Sequence, residues 1–372
     1  MNWNYKQPVE IRFGAGVIKT LAAEIKAFGG KRGLLVTSRS FVKKGLAGKI
    51  VDDSEGLIVA VYGEVSPNPE VSECDACSAL IREHECDFVV ALGGGSVMDC
   101  AKAAATFGLA NVPSTEFLST GKAIPQEHLP IIAVPTTAGT GSEITSVSVL
   151  SDHERGVKAP MASDGFYPKL AIVDPQLTHS VPPYITACTG FDVLCHAVES
   201  YWSIHHQPVC ATLSVHAARL VMQHLLTAFN EPDNAEAREK MAEASVVAGL
   251  AFALPKTTSS HACSYPLTNW FGIPHGEACA LTISHFMRFN AENGDPRTET
   301  LAKELGYADA HAFADAIDLL KSQTGMRADL KDLQLTDAQF DALVTASQHP
   351  NLLNNPVPVP VEFLRKMYAA MR

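Results

Sequence analysis

Four side chains in this 372-residue chain carry metal-binding chemistry at telling intervals. Asp192 and His196 lie one helical turn apart in GFDVLCHAVESYWS, so a helix there sets carboxylate and imidazole on one face. His261 and His275 lie in KTTSSHACSYPLTNWFGIPHGEACA, where Pro266, Gly272 and Pro274 forbid one continuous helix. The chain must therefore turn between them, which lets two distant imidazoles converge. Three nitrogens and one oxygen suit a borderline ion, Fe²⁺ or Zn²⁺, better than Ca²⁺ or Mg²⁺.

A second group of residues has nucleotide-holding chemistry. The apolar strand Phe88–Leu92 runs into Gly93, Gly94, Gly95 and Ser96 and then into the helix-forming VMDCAKAAATFG. Glycines let the backbone approach a phosphate, and the free N–H groups of a helix start attract its charge. Ser96 and Asp99 also form a plausible capping box, which is the purely structural reading of the same residues. The turn is not G-x-G-x-x-G and does not follow the first strand, so the ordinary dinucleotide fingerprint does not apply. A second polar turn, with Thr136, Thr137, Thr140 and Ser142, directly follows another apolar strand. Two such turns at adjacent strand ends favour a nucleotide at the carboxyl edge of a parallel sheet. The first strand ends at Thr37, Ser38, Arg39 and Ser40, with no acidic residue to hold a ribose 2′-hydroxyl. Arg39 can pair with a 2′-phosphate, so the reading leans to NADP(H) with NAD(H) as the other choice. A plain solvated charge is the alternative for Arg39.

The elements that must position these residues are of two kinds. Strands are expected at Leu34–Thr37, Leu57–Tyr62, Phe88–Leu92, Ile131–Val134, Val147–Leu150 and Leu170–Val173, with helices at Val17–Phe28, Val71–Glu85 and Val97–Gly108. That alternation predicts a parallel sheet covered by helices. Beyond Pro175 only helical patterns recur: Ile185–Ile204, Val209–Phe229, Ala235–Phe252, Glu277–Asn293, Ala310–Thr324 and Val361–Met371. The expected layout is an α/β dinucleotide-binding domain over residues 1–178 and an all-helical metal-binding domain over 179–372, with a cleft between them.

Bulk properties narrow the partners. Hydrophobic residues make up 47% of the chain, ample for buried cores, and the net charge of −11 opposes a nucleic-acid or anionic-membrane partner. No run is an uncharged membrane span, and the start lacks an apolar secretory core. Nine scattered cysteines, with a lone C-x-x-C at Cys74 and Cys77, fit a reduced cytoplasmic protein whose thiols pack as small apolar groups. A small-molecule substrate is the expected partner.

In order along the chain, PVEIRFGAG, GGGSVMDCAK, PTTAGTGSE, AIVDP, GFDVLCHAVESYWS and IPHGEACA give a sequence that resembles the iron-containing (group III) alcohol dehydrogenase family over nearly its whole length. The resemblance implies a Rossmann-like α/β domain and a helical metal domain in a dehydroquinate synthase-like architecture. It also implies NAD(P)-dependent interconversion of alcohols and aldehydes, and a homodimer. Carried onto this chain, it puts the metal ligands at Asp192, His196, His261 and His275. The pyrophosphate turn falls at Gly94, Gly95 and Ser96, the second cofactor segment at Thr136, Thr137 and Thr140, and a nicotinamide-side lysine at Lys158.

One departure stands out. Many members carry a histidine four residues after the third ligand, where it helps relay a proton; here that residue is Tyr265. Its hydroxyl either relays the proton or only fills space. The stretch from Lys256 to Thr268 is similar to the phosphonoacetaldehyde reductase branch, which implies a small anionic aldehyde with Lys256 or Lys158 as counter-charge. Cys263 is expected near the metal as a packing residue. Two other readings compete: a dehydroquinate synthase-like lyase, disfavoured by the Asp-plus-three-His set, and a non-catalytic nucleotide- or metal-sensing protein.

Overall fold

Short apolar runs, the four inner ones buried on both faces, build a six-stranded parallel sheet. The strands of the first unit are β1 (Glu10–Phe13), β2 (Gly33–Thr37), β3 (Ile58–Tyr62), β4 (Phe88–Gly93), β5 (Ile131–Pro135), β6 (Val147–Asp152), β7 (Val157–Ala162) and β8 (Leu170–Val173). The sheet order is β1-β8-β5-β4-β2-β3, and every pairing in it is parallel. Along β4, Val89 and Ala91 face one apolar core while Phe88, Val90 and Leu92 face the other. That two-sided burial is why these strands read as continuous apolar runs rather than alternating ones.

The computed structural model describes residues 3–372, which divide into Lys6–Thr178 and a second unit of His179–Arg372 joined by residues 3–5. In the first unit, α1 (Leu21–Phe28), α2 (Arg39–Lys43), α3 (Leu46–Asp53), α4 (Val71–Glu83) and α5 (Gly95–Ala110) connect the strands. The chain order reverses between β2 and β4: β3 lies on one side of β2, whereas β4 and then β5 lie on the other. Ligands of open parallel sheets bind outside the carboxyl ends of strands at such a reversal.

The second unit is helical throughout its described residues: α6 (Pro183–Trp202), α7 (Pro208–Asn230), α8 (Ala235–Phe252), α9 (Ser259–Phe271), α10 (His275–Glu292), α11 (Pro296–Glu304), α12 (Ala310–Gln323), α13 (Asp337–Ala346) and α14 (Val361–Met371). Helix α6 is buried along nearly its whole length from Thr186 and packs on α7, α8 and α10. A helix surrounded by others must be apolar all round, which leaves its few polar side chains conspicuous. Helix α7 is long and apolar enough to span a bilayer by length and composition. Its face carrying Cys210, Ser214, Ala217, Val221 and Leu225 is buried instead.

Several expectations are corrected. Val147–Leu150 is not in the parallel sheet; as β6 it pairs antiparallel with β7, because a strand's own period does not name its partner. The first strand is β1, not β2; its EIRF alternates charged and apolar residues and forms an edge. Helix α5 starts at Gly95 with Gly94 as its N-cap and no side-chain cap, so Ser96 and Asp99 form no capping box. Pro266 is tolerated inside α9, and the break before His275 falls at Gly272, whose φ of 67° ends the helix.

Gly276, in the first turn of α10, lies against the backbone of α6. A Cβ there would stand 1.9 Å from the Cys188 carbonyl oxygen and 3.1 Å from Asp192 Cβ. Backbone cannot give way as a side-chain tip can, so Gly276→Ala is expected to cost about 1–3 kcal/mol by overpacking. Thermal unfolding should show a melting temperature several degrees lower; an unchanged one would mean that the helices do not meet so closely.

Candidate metal centre and cofactor edge

Asp192 and His196 leave α6 on one face, one turn apart, and Asp192 Oδ1 lies 3.8 Å from His196 Nε2. His261, in the first turn of α9, brings its Nε2 to 3.5 Å from the same oxygen. His275, the first residue of α10, brings its Nε2 to 3.7 Å. The four predicted residues are therefore gathered around one carboxylate oxygen. The rings of His196 and His261 stack at 4.7 Å, and Phe252 backs His196 at 4.1 Å. Asp192, His196 and His261 are buried, whereas the His275 side chain keeps 38% of its surface, so the cluster opens on that side.

Three buried atoms at this centre, Asp192 Oδ1, His196 Nδ1 and His261 Nε2, have no hydrogen-bond partner. An orphaned buried acceptor of this kind costs about 1–3 kcal/mol unless something satisfies it. Burial works to raise the Asp192 carboxyl, but His196, His275 and His261 outweigh it and hold it well below the usual carboxylate range. Burial pushes the His196 imidazole down to about 4, despite Asp192, so it is held neutral with lone pairs free to coordinate. A carboxylate oxygen and imidazole nitrogens, converging and unsatisfied, fit a divalent cation of the Fe²⁺ or Zn²⁺ kind.

Two residues of this centre went unnoticed in the sequence. Cys279, one turn beyond His275 on α10, offers its sulfur 3.9 Å from His275 Nε2. Its ligand atom lies within 4.8 Å of those of Asp192, His261 and His275. The spacing of His275 and Cys279 repeats that of Asp192 and His196, and could have flagged it. Cys263, expected near the metal as a packing residue, is buried within electrostatic reach of Glu199 and Cys279 and packs with Tyr368 and Ser347; burial raises its thiol to about 12. The second unnoticed residue is Glu199, fully buried on α6 two turns beyond Asp192. It accepts His261 Nδ1 at 2.5 Å and the backbone N–H groups of Thr258, Ser260 and His261 at 3.0, 2.5 and 3.4 Å. This bond keeps the proton on Nδ1 and turns the Nε2 lone pair to Asp192.

Tyr265, also on α9, stands over His275 with ring centroids 6.3 Å apart. Burial raises its phenol above the ordinary value, and its oxygen lies 3.5 Å from Asn351 Nδ2. Lys256 is exposed and takes a left-handed φ of 63° immediately before the segment that Glu199 binds.

In the sheet unit, three strand ends meet at the chain reversal. Thr37 donates its hydroxyl to the Leu92 carbonyl at 2.7 Å, and Thr136 N–H donates to the Gly93 carbonyl at 3.0 Å. The two polar turns touch directly. A Cβ at Gly95 would meet Thr140 Cγ2 at 2.7 Å, and one at Gly94 would meet Thr137 Oγ1 at 3.1 Å. Ser96 accepts from Asn68 N–H at 3.2 Å, and Lys158 on β7 donates to Asn68 Oδ1 at 3.0 Å. Ser38 is the N-cap residue of α2, without a side-chain cap bond. Arg39 is paired with Glu64 at the end of β3, so an acidic group does stand beside this strand end, supplied from 25 residues away.

Beneath the turns lies a buried polar network. Asp99 accepts from the Ser142 hydroxyl at 2.7 Å and from Val149 N–H at 3.0 Å. Lys102 donates to Ser142 Oγ and to the Val147 carbonyl, both at 2.8 Å. Burial lowers Lys102 to about 8 and raises Glu143 to about 7. Asp99 thus ties α5 to the β6-β7 hairpin rather than serving the helix start.

A parallel sheet with glycine turns at its reversal point, and a helical bundle with a carboxylate–imidazole cluster, are the equipment of a metal-assisted nicotinamide dehydrogenase. Comparison with known proteins agrees. Residues 8–175 match the family described as iron-containing alcohol dehydrogenase, and residues 186–371 match the C-terminal domain of the same family. The chain belongs to the iron-containing alcohol dehydrogenase family, whose members are NAD-dependent oxidoreductases, and it is an enzyme interconverting an alcohol and an aldehyde. It is 33% identical over 371 residues to long-chain-alcohol dehydrogenase 1 of Geobacillus thermodenitrificans, covering 96% of this chain and 93% of that protein. It is 32% identical to 1,3-propanediol dehydrogenase of Citrobacter freundii, with 95% of each covered. Among solved structures, sulfoacetaldehyde reductase from Bifidobacterium kashiwanohense in complex with NAD⁺ matches with a TM-score of 0.98 and 54% identity, covering 100% of this chain and 99% of that one.

Two outcomes follow from this geometry. Glu199→Gln keeps the shape of the side chain but loses the charge that orients His261, and should weaken divalent-metal affinity about 10–100-fold. Chelator competition measures it, and unchanged affinity would show that Glu199 does not orient a ligand. Glu143, raised from its unfolded value to about 7, keeps a proton in the folded state that the unfolded chain has lost. Stability from this group is present below the unfolded value and is lost as pH rises towards 7. Glu143→Gln should therefore gain in melting temperature relative to the parent between pH 5 and pH 8; a difference independent of pH would contradict the assignment.

Proposed function

We propose that Asp192, His196, His261 and His275 hold the divalent ion of this enzyme, and that the strand ends at Ser38, Gly94–Ser96 and Thr136–Thr140 hold its nicotinamide dinucleotide. The observation that carries the reading is the approach of three imidazole nitrogens to one unsatisfied carboxylate oxygen, at 3.5–3.8 Å. When bound, the ion supplies Lewis-acid polarisation of a substrate oxygen, and a reduced nicotinamide supplies hydride.

The chain's own residues do the rest. Glu199 fixes the tautomer and aim of His261. The exposed flank of His275 leaves the cluster accessible on one side, where a substrate oxygen enters. Tyr265, kept protonated by burial, is placed over that flank and delivers or passes on the proton that the reduced product requires. In the sheet unit, backbone N–H groups at the start of α5 receive the pyrophosphate, and Lys158, held by Asn68, lines the same edge. Asp99 acts from beneath, fixing the turn through Ser142. Arg39 paired with Glu64 puts a carboxylate beside the ribose position, which suits a 2′-hydroxyl and opposes a 2′-phosphate. The cofactor preference we assign is therefore NAD(H) over NADP(H).

The substrate class is a small aldehyde with an anionic tail. Support comes from the high similarity to a sulfoacetaldehyde reductase and from the phosphonoacetaldehyde reductase-like stretch around Tyr265. The division of labour is an α/β dinucleotide-binding domain at residues 1–178 and a metal-binding domain at 179–372. The setting we assign is a cytoplasmic homodimer, acting without nucleic acid or membrane. The net charge of −11 and nine buried free cysteines support the setting, and a two-fold dimer is the commonest closed assembly.

The test uses protein loaded with Fe²⁺ or Zn²⁺ and short aldehydes bearing neutral, carboxylate, sulfonate or phosphonate tails, each with NADH and NADPH. Loss of nicotinamide absorbance, fastest with NADH and an anionic tail, is the expected result; preference for neutral tails would remove the substrate class. His261→Ala should abolish metal retention and turnover while leaving dinucleotide binding intact. Full metal-dependent turnover in that variant would overturn the ligand assignment.

A further inference from the structure

Beside the open flank of the histidine cluster, three donor side chains, Thr257, Tyr265 and His349, line a wall that Asn351 ties together. Thr257 precedes α9, Tyr265 lies within it, and His349 and Asn351 belong to the turn Pro350–Asn354 and its N-cap. The Tyr265 ring lies between His275, at 6.3 Å, and His349, at 4.5 Å. Asn351 ties the wall together, its Nδ2 donating to Thr257 Oγ1 at 3.0 Å and lying 3.5 Å from the Tyr265 oxygen. Asn354 anchors the base by donating to the Thr257 carbonyl at 2.9 Å.

The direction of these bonds decides what the wall can bind. His349 Nδ1 accepts the Asn351 backbone N–H at 3.2 Å, so the proton of the neutral ring is on Nε2. Thr257 and Tyr265 are met by Asn351 as acceptors, which leaves both hydroxyl protons free to donate. No carboxylate among the described residues takes a hydrogen bond from any of the four. All four are partly exposed; the Thr257 and Tyr265 hydroxyl protons and the His349 Nε2–H are open to a ligand, while both Asn351 Nδ2 protons are spent in holding the wall together. The one nearby full charge in the sequence, Lys256, is positive and exposed.

We infer that Thr257 and His349, held in place by Asn351, form the subsite that receives the tetrahedral oxyanion tail, sulfonate or phosphonate, of a two-carbon aldehyde whose carbonyl end lies at the His275 flank, with Tyr265 between the two ends and its proton kept for the carbonyl oxygen. The inference rests on the anionic-substrate reading above and names the residues that enforce it. A sulfonate offers three acceptor oxygens and no donor, the complement of a wall that presents N–H and O–H groups. A neutral alkyl tail would leave those donors without partners, and that penalty is where discrimination against unsubstituted aldehydes comes from.

The experiment compares sulfoacetaldehyde with propanal in the metal-loaded enzyme and NADH, and measures calorimetrically the binding of ethanesulfonate, a non-reacting anion, to the enzyme–NADH complex. In Thr257→Val and His349→Ala the ratio of kcat/KM for sulfoacetaldehyde over propanal should fall about 10-fold, mostly through KM, as expected for one hydrogen bond to a charged group. Ethanesulfonate affinity should fall in step, which a general loss of activity would not produce. If the parent enzyme prefers the anionic aldehyde but both variants keep its ratio and affinity, the subsite is wrong and the substrate class stands. If the parent shows no preference for the anion and no ethanesulfonate binding, the substrate class fails and this inference with it.

Discussion

Glu199 is a charge with no exposed surface, and such a group is tolerated only when donors surround it. Its donors all come from one segment, residues 258–261, at the start of α9. Helix starts leave N–H groups without intrahelical partners and carry partial positive charge. A carboxylate from α6 therefore caps α9 from outside, and the Trp202 indole N–H adds a bond to Thr258 Oγ1 at 2.7 Å. Moving α9 by even a fraction of a turn would strand the charge. The position of His261 relative to Asp192 and His196 follows from this constraint, since all three of Asp192, His196 and Glu199 ride on the same helix.

The sheet unit solves a related problem with a different balance. Lys102 and Glu143 are buried and Asp99 is half-buried, and burial pushes Lys102 and Glu143 towards their neutral forms. The hydrogen bonds of Lys102 and Asp99 run through Ser142 to the hairpin β6-β7, so the second polar turn is gripped from below. The glycines above it then need only be small. Gly94 and Gly95 lie so close to Thr137 and Thr140 that a side chain would displace a hydroxyl.

How far this was legible in the chain depends on distance along it. The adjacency of Asp192 and His196 is a property of any α-helix, and the need for a turn between His261 and His275 follows from proline and glycine. The apolar runs of β2, β4, β5 and β8 announced buried strands because both faces are covered. What failed was tertiary. Glu64 beside Arg39 and Asp99 beside Val149 come from segments that no local pattern connects. Asp99 illustrates the trap: its spacing from Ser96 satisfied a capping rule, but the helix began at Gly95 and turned the carboxylate inward. Pro266 misled in the opposite sense, since α9 runs through it. Glu199 and Cys279 were readable in principle, at helical spacing from Asp192 and His275. Their function shows only once α9 is placed beside α6 and α10.

The cluster itself is a set of mutually unfavourable neighbours. With the Glu199 bond fixing its proton on Nδ1, a neutral His261 turns a lone pair towards Asp192 Oδ1, 3.5 Å away. His196 and His275 bring Nε2 atoms to 3.8 and 3.7 Å of that oxygen. The His261 lone pair and the Asp192 oxygen, two buried acceptors, repel, and helix packing, as at Gly276 against the α6 backbone, keeps them from separating. Only a cation among them relieves the strain. Burial works against a charge on His261, but its Cys279, Glu199 and Asp192 surroundings outweigh it and raise the imidazole well above its ordinary value. A divalent ion held by Asp192, His196, His261 and His275 would satisfy the carboxylate oxygen and the imidazole lone pairs together. Because such a site exists only in the folded chain, the ion's binding energy would be returned to the helical unit as stability.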